Sequence, residues 1–320
     1  MAKVVCLSPM PKGLLEALLS DVVDEIIVFY DFVEEEIIRE LENADVVIGD
    51  YTFKIPIGRK MLEAMKNVKL VQQPSTGYDH IDISSAKELG IRVANVGSVN
   101  ALSVAEHTIM LALALLKKLI YANKRTFDGF WAQGEMFDLG FYELFGKTWG
   151  ILGMGRQGRE VIRRLQGWGV NVIYNDLRKD EEIEKNYNAR FVDFETLLKE
   201  SDILSIHLPL TDKTRKMIGE KELRMMKNSA FLINVARGEI VDEGALLKAL
   251  KENWIAGAAL DVFENEPTVS EELRKLRDKN LILTPHIAGA TNEARVRIIR
   301  EAIENIRRAL RGEEVKNVVS

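Results

Sequence analysis

The chain has 320 residues, of which 47% are hydrophobic and 29% are charged, and its formal net charge is −5. This length suffices for two domains of ordinary size, and this composition excludes a disordered protein. The slightly acidic balance offers no basic surface for nucleic acid, so we expect no nucleic-acid partner. The most membrane-like stretch, IMLALALL at 109–116, is too short to span a bilayer, so we expect no membrane partner.

Cysteine usage and the opening segment predict a cytoplasmic protein. The only cysteine, Cys6, lies in the apolar run VVCL, which predicts a buried thiol without a disulfide or a metal. The opening stretch MAKVVCLSPMPKG lacks the apolar segment and the small-residue cleavage site of a secretory signal. A reducing, cytoplasmic environment is therefore expected.

Short apolar, β-rich runs alternate with amphipathic helical patterns along the chain. In the first hundred residues, strands are predicted at 3–8, 25–30, 45–50, 68–73 and 91–96. A long helix at about 101–126 and an irregular aromatic segment at 127–146 follow. A second series of strands is predicted at 148–153, 171–176, 202–208, 230–236, 255–263 and 281–285, before a last helix at about 291–311.

This alternation predicts an α/β protein with two Rossmann-like or flavodoxin-like domains, each built on a parallel sheet. The predicted domains are residues 1–99, completed by the C-terminal helix at 291–320, and residues 100–290. No linker rich in proline or glycine separates the two series of strands. We therefore expect the long helix to join the domains, with the active site in a cleft beside it.

The stretch WGILGMGRQG predicts a dinucleotide-binding loop between a strand and a helix. Gly153, Gly155 and Gly158 have the spacing G-x-G-x-x-G, which allows a tight turn, close approach of a pyrophosphate, and close packing of helix on strand. The N–H groups at the start of such a helix bind phosphates. Two further residues of the loop are therefore predicted to contact the cofactor, Arg156 and Gln157.

An acidic residue at the end of the next strand indicates which dinucleotide binds. Asp176 stands about 20 residues beyond the first glycine, where a carboxylate accepts hydrogen bonds from ribose hydroxyls and repels a 2′-phosphate. NAD is therefore favoured over NADP. Arg178 and Lys179 lie close by and leave some room for NADP.

Three polar side chains follow three later strands, near the points where those strands end. They are Arg237, Glu266 and His286. Taken singly, they have ordinary interpretations as a surface charge, a loop residue and a strand cap. Because the carboxyl ends of parallel strands meet at one edge of a sheet, where ligands bind, we expect all three to gather there. Together they supply an anion clamp, an orienting carboxylate and an acid/base, and hydride transfer requires such proton handling.

Nearly the whole chain resembles the D-isomer-specific 2-hydroxyacid dehydrogenases, in particular members of the glyoxylate/hydroxypyruvate reductase and phosphoglycerate dehydrogenase type. The stretches that carry the resemblance are STGYDHIDISSAKELGIRVANV, NALSVAEHTIMLALAL, GKTWGILGMGRQG, HLPLTDKTRKMI, NVARGEIVDEGAL, AALDVFENEP and LTPHIAG. The resemblance implies that the first domain binds the substrate and the second binds NAD. It also implies a homodimer formed through the cofactor domain.

The resemblance further implies a role for each motif residue. Arg237 would bind the substrate carboxylate and the C2 oxygen, His286 would be the general acid/base, and Glu266 would pair with His286 and fix its tautomer. Backbone N–H groups around Thr76 and Gly77 would hold the substrate carboxylate. The remaining cofactor contacts that the resemblance implies are His207, Pro209, Thr214, Ala236, Asp261, His286 and Gly289.

The implied reaction is hydride transfer between NAD(H) and a D-2-hydroxy acid/2-oxo acid pair, with glyoxylate or hydroxypyruvate favoured. GDYTFK at 49–54 carries no arginine where phosphoglycerate dehydrogenases often have one, so 3-phosphoglycerate stays open without being favoured. A phosphite-type dehydrogenase shares the Arg-Glu-His set, whereas Glu266 argues against a formate dehydrogenase. An NAD-sensing corepressor-like binding protein is a further alternative, since such proteins can retain these residues. His80 and His107 are interpreted as structural.

Overall fold

The computed structural model describes residues 2–277 and 279–320. The chain divides into two compact units, one containing the residues up to Asn100 together with Asn292–Ser320, the other Ala101–Thr291. Each unit is built on its own sheet, and all named strands of both sheets pair in parallel. The predicted α/β class with two parallel sheets is confirmed.

The first unit alternates strands and helices along the chain. Its elements are β1 (Lys3–Cys6), α1 (Lys12–Leu19), β2 (Glu25–Val28), α2 (Glu34–Leu41), β3 (Val46–Ile48), α3 (Arg59–Ala64), β4 (Leu70–Gln72), α4 (Ile83–Glu88) and β5 (Val93–Ala94). The strands lie side by side in the order β2-β1-β3-β4-β5. All five strands predicted for the first hundred residues are present.

The second unit has a seven-stranded sheet. Its elements are α5 (Ala101–Leu116), α6 (Leu119–Phe127), α7 (Gln133–Leu139), β6 (Thr148–Leu152), α8 (Arg156–Arg164), β7 (Asn171–Asn175), α9 (Glu181–Tyr187), β8 (Arg190–Phe191), α10 (Phe194–Glu200), β9 (Ile203–Ile206), α11 (Glu220–Met225), β10 (Phe231–Asn234), a 3-10 helix (Gly238–Ile240), α12 (Glu243–Lys251), β11 (Gly257–Leu260), α13 (Glu271–Lys275) and β12 (Leu281–Leu283). The strand order is β12-β11-β10-β9-β6-β7-β8. The direction of winding changes between β6 and β9, which makes this the switch point at which such sheets bind ligands.

The last helix, α14 (Asn292–Arg311), belongs to the first unit and packs against α1 and β4. Its buried Ile303 and Ile306 join Val4 and Cys6 in one core cluster, whereas Val5 belongs to the cluster on the opposite face of the sheet. This division follows from the alternation of side chains along β1. Burial raises the pKa of the Cys6 thiol to about 12, so the only cysteine is an unreactive core residue.

The prediction of one long helix at 101–126 is wrong, because two helices occupy that region. Lys118 separates α5 from α6 in a left-handed conformation, with φ 46° and ψ 42°. The last carbonyls of α5 accept hydrogen bonds from distant parts of the chain: the Tyr142 N–H donates to Leu116 (2.9 Å) and the Asn280 amide to Leu115 (3.1 Å). Since helix ends need partners for these carbonyls, the tertiary contacts terminate α5.

Helix α5 is largely buried and packs against α8, β10 and β11, as its apolar sequence predicted. Helix α6, by contrast, buries none of its residues. The prediction of an irregular segment at 127–146 is wrong in part, because residues 133–139 form α7. Over residues 2–277 and 279–320, no helix combines the length and the apolar character that crossing a membrane requires.

Candidate active site

The predicted glycine loop follows β6 at the switch point of the second sheet and leads into α8. Gly153 makes the turn with φ 98°, which other residues rarely adopt. A Cβ on Gly158 would lie 2.3 Å from the carbonyl oxygen of Gly153, so only glycine allows α8 to pack this closely on the loop. A Cβ on Gly155 would meet no atom within 4 Å beyond its two neighbours in the chain. The backbone at Gly155 is thus open to approach, and the loop fits the pyrophosphate of a dinucleotide.

Asp176 follows β7 and lies against the glycine loop. Its Oδ2 accepts a hydrogen bond from the Met154 N–H (2.6 Å) and its Oδ1 from the Leu177 N–H (2.6 Å). The side chain is half-buried. The structure therefore brings the acid and the loop together, and the predicted contact of Asp176 with the ribose stays a prediction. Arg156 and Gln157 open α8, with Arg156 exposed and Gln157 half-buried.

The segment after β9 contributes His207, whose carbonyl oxygen would lie 2.8 Å from a Cβ on Gly153. The imidazole is buried, with Nε2 3.1 Å from the hydroxyl of Ser205. Burial lowers the pKa of His207 to about 3, so the ring is neutral near neutral pH. Farther along, the Thr214 hydroxyl donates to the Pro209 carbonyl (2.7 Å) and closes an exposed turn. The contacts of His207, Pro209 and Thr214 with the cofactor stay predictions.

Arg237, Glu266 and His286 follow the neighbouring strands β10, β11 and β12. The Arg237 guanidinium donates through Nη1 to the Ala236 carbonyl (2.7 Å), and Ala236 itself is buried. The Nδ1 atom of His286 lies 2.7 Å from Oε2 of Glu266, while Oε1 of Glu266 accepts from the Phe263 N–H (3.0 Å). The structure therefore joins two residues of the predicted triad directly and places the third at the end of an adjacent strand.

The electrostatics of this pair define its hydrogen-bonding state. Burial tends to raise the pKa of Glu266, but the hydrogen bond and charge of His286, the Phe263 N–H and the charge of Arg237 together hold it below its usual value. Glu266 is therefore a carboxylate that only accepts hydrogen bonds near neutral pH. The proton in the shared bond consequently belongs to Nδ1 of His286, which makes Nε2 the nitrogen that can exchange protons.

The backbone of His286 adopts a left-handed conformation, with φ 53°. Such a conformation costs a residue other than glycine about 1–3 kcal/mol and persists only where surrounding contacts enforce it. The His286 N–H donates to the Asp261 carbonyl (2.8 Å), and Gly289 lies three residues further along the same loop. The loop therefore holds a strained residue in place, a feature that local sequence patterns did not reveal.

Asp261 has a structural task that the sequence reasoning missed. It is wholly buried, and its carboxylate accepts hydrogen bonds from the Thr284 hydroxyl (2.5 Å), the Ile287 N–H (3.0 Å) and the Ala288 N–H (2.8 Å). The carboxylate thus fastens the loop that carries His286. The nicotinamide contact assigned to Asp261 by resemblance stays a prediction.

In the first unit, the predicted carboxylate-binding loop follows β4. The Thr76 hydroxyl is 2.8 Å from the Gly97 carbonyl, and the Thr76 carbonyl accepts from the Asn95 side-chain amide (2.7 Å). The Ser75 hydroxyl donates a hydrogen bond to the carbonyl of Gly77 (2.7 Å). Within residues 2–277 and 279–320, no protein group accepts a hydrogen bond from the backbone N–H of Thr76 or Gly77. These two neighbouring donors suit a small anion.

Comparison with known proteins agrees with this geometry. Residues 109–288 match the protein family described as D-isomer specific 2-hydroxyacid dehydrogenase, NAD binding domain. The chain is 42% identical to a glyoxylate reductase from Thermococcus litoralis, over 89% of this chain and 86% of that protein. It is 41% identical to a glyoxylate reductase from Korarchaeum cryptofilum, over 89% of this chain and 85% of that protein.

Solved structures show the same similarity. A glyoxylate reductase from Paecilomyes thermophila superposes with a TM-score of 0.90 at 31% identity, covering 99% of this chain and 98% of that one. An NAD-dependent formate dehydrogenase from Staphylococcus aureus in complex with NAD superposes with a TM-score of 0.87 at 29% identity, covering 100% of this chain and 99% of that one.

Proposed function

The chain belongs to the D-isomer specific 2-hydroxyacid dehydrogenases and is an NAD-dependent oxidoreductase, and from this premise we propose that it reduces glyoxylate to glycolate. The observation that carries the proposal is the 2.7 Å pair of His286 and Glu266, at the same sheet edge as Arg237. It provides an acid/base with a fixed tautomer and a cation for the acid substrate. The naming of several similar proteins as glyoxylate reductases supports this substrate.

We propose the following division of labour in the reduction. When bound on the glycine loop, NADH supplies the hydride that the C2 atom of the 2-oxo acid accepts. Arg237 binds the 2-oxo and carboxylate oxygens, and its charge stabilises the negative charge that develops on the C2 oxygen. Nε2 of protonated His286 donates the proton to that oxygen, which completes the hydroxy acid. Glu266 keeps the Nδ1 proton in place and stabilises the charged imidazolium.

The backbone N–H groups of Thr76 and Gly77 are proposed to bind the substrate carboxylate. The support is chemical, since a pair of adjacent N–H donors matches a carboxylate oxygen. Thr76→Ala removes the hydroxyl that anchors this loop to Gly97. We expect this substitution to raise the KM for glyoxylate while leaving the Kd for NADH unchanged. An unchanged KM would argue against the assignment.

A homodimer formed through the cofactor domain is also proposed. Its support is the exposure of large aromatic side chains in the segment after α5: Phe127 is 83% exposed, Trp131 87% and Phe145 75%. Surfaces of this kind mark protein–protein contacts. Sedimentation should give twice the chain mass for the wild type and a smaller mass for Trp131→Lys.

A cytoplasmic location is proposed from the single buried cysteine, and cell fractionation tests it.

Steady-state NADH oxidation against a panel of acids tests the proposed function. The panel contains glyoxylate, hydroxypyruvate, pyruvate and phosphohydroxypyruvate, with phosphite and NAD assayed in the reverse sense. We expect the highest kcat/KM with glyoxylate. His286→Asn should lower turnover by roughly 10²- to 10⁴-fold, the usual contribution of a general acid, with NADH still bound. Tight NADH binding without turnover of any acid would favour an NAD-sensing binding protein.

A further inference from the structure

A hydrogen-bonded chain of three side chains, one buried and two half-buried, adjoins the loop that carries His286. It contains His107 of α5, Thr284 after β12 and Asp261 after β11. The Thr284 hydroxyl lies 2.5 Å from Oδ1 of Asp261 and 3.2 Å from Nε2 of His107, and His107 Nε2 is 3.6 Å from the same Asp261 oxygen. Neither His107 nor Thr284 has a role in the mechanism proposed above.

The direction of these hydrogen bonds follows from chemistry. Burial, opposed by the charge of Asp261, lowers the pKa of His107, so its ring is neutral and carries one N–H. A carboxylate only accepts, so the Thr284 hydroxyl donates its hydrogen bond to Asp261. The oxygen of Thr284 is then an acceptor towards His107, whose Nε2 carries the proton. The result is an ordered chain of hydrogen bonds from His107 through Thr284 to Asp261.

Asp261 connects this hydrogen-bond chain to the active-site loop. Its carboxylate accepts from the Ile287 and Ala288 N–H groups, and its carbonyl accepts from the His286 N–H. These bonds surround the left-handed backbone of His286, which needs outside contacts to persist. Any rotation of the Asp261 carboxylate therefore moves the residue whose Nδ1 must reach Glu266.

We propose that Thr284 and His107 are positioning residues for His286. They orient the Asp261 carboxylate, and the carboxylate holds His286 in its left-handed conformation with Nδ1 on Glu266. The inference rests on the proposed role of His286 as the general acid/base. Since displacement of a catalytic group by a fraction of an ångström lowers the rate of chemistry more than it lowers binding, these residues govern kcat.

Matched substitutions at Thr284 test the proposal. Thr284→Val keeps the shape of the side chain and removes the hydroxyl, whereas Thr284→Ser keeps the hydroxyl. We expect Thr284→Val to lower kcat by roughly 10- to 100-fold, with the Kd for NADH changed less than about twofold, and Thr284→Ser to retain most of the wild-type rate. His107→Leu should resemble Thr284→Val, and His107→Gln, which keeps an N–H donor, should be milder.

A second arm separates positioning from general stability and from the role of His286 itself. In a His286→Asn background, Thr284→Val should lower the residual rate little further, because both act through the same imidazole. An equal loss in both backgrounds, or a Thr284→Val enzyme with the wild-type kcat, would overturn the proposal. If Thr284→Val does not fold, the His107 pair gives the same comparison. Wild-type turnover by His286→Asn would instead refute the proposed function.

Discussion

The Nδ1 atom of His286 lies 2.7 Å from Oε2 of Glu266, although twenty positions of chain separate the two residues. The contact exists because β11 and β12 are neighbours in a parallel sheet, so that the segments following the two strands leave the sheet at the same edge. The pair fixes which nitrogen of the imidazole carries the resting proton. This makes Glu266 the residue through which the tautomer and the orientation of His286 can be altered without touching the histidine.

Replacement of Glu266 by glutamine should lower kcat by roughly 10²- to 10⁴-fold with little change in NADH binding. The neutral amide cannot stabilise the imidazolium and can donate to Nδ1, which favours the wrong tautomer. The measurement is the rate of NADH oxidation with glyoxylate. Glu264→Gln is the matched control, because Glu264 lies on the same loop and accepts instead from the Glu243 N–H. Equal rates in the two variants would contradict the assignment of Glu266.

Two alanine substitutions in the glycine loop should have different effects. Gly158→Ala brings a Cβ within 2.3 Å of a backbone oxygen, so we expect a lower melting temperature as well as weak NADH binding. The Cβ of Gly155→Ala meets no atom within 4 Å beyond its two neighbours in the chain, so the fold should keep its melting temperature. NADH affinity should nevertheless fall, because the added methyl group occupies the surface that the pyrophosphate approaches. Thermal unfolding and NADH titration of both variants check this, and unaltered NADH affinity in Gly155→Ala would contradict it.

Asp176→Ala should shift the cofactor preference towards NADPH. The wild-type carboxylate repels a 2′-phosphate and binds ribose hydroxyls, and loss of a hydrogen bond to a charged group weakens NADH binding by roughly 10- to 100-fold. The ratio of kcat/KM for NADH to that for NADPH is the measurement. A ratio identical to that of the wild type would show that another residue discriminates between the cofactors.

Acid should destabilise the protein through His207. Its folded pKa is about 3, whereas an unfolded histidine titrates near 6.5, so between these values the unfolded chain binds more protons. Stability from this group is therefore present above about pH 6.5 and is lost as the pH falls, by up to about 1.4 kcal/mol per pH unit. Urea unfolding at several pH values should give a shallower slope for His207→Gln. An unchanged slope would show that other groups cause the acid sensitivity.

Much of the architecture could be predicted from local pattern. Apolar runs alternating with amphipathic helices predicted both parallel sheets, because strand and helix periodicities depend on neighbouring residues. The short strand β8 was missed, since its two residues, Arg190 and Phe191, carry no recognisable period. The break at Lys118 was also missed, because the partners that end α5 come from Tyr142 and Asn280, far along the chain.

The candidate site divides in the same way. Local patterns predicted the glycine loop, the acid after the next strand, and Arg237, Glu266 and His286 beyond the ends of strands. The arrangement in which Asp261, Thr284 and His107 hold the strained backbone of His286 became visible only in the folded protein. Composition and spacing act over a few residues, whereas a hydrogen bond depends on the distance and angle between groups that folding alone brings together.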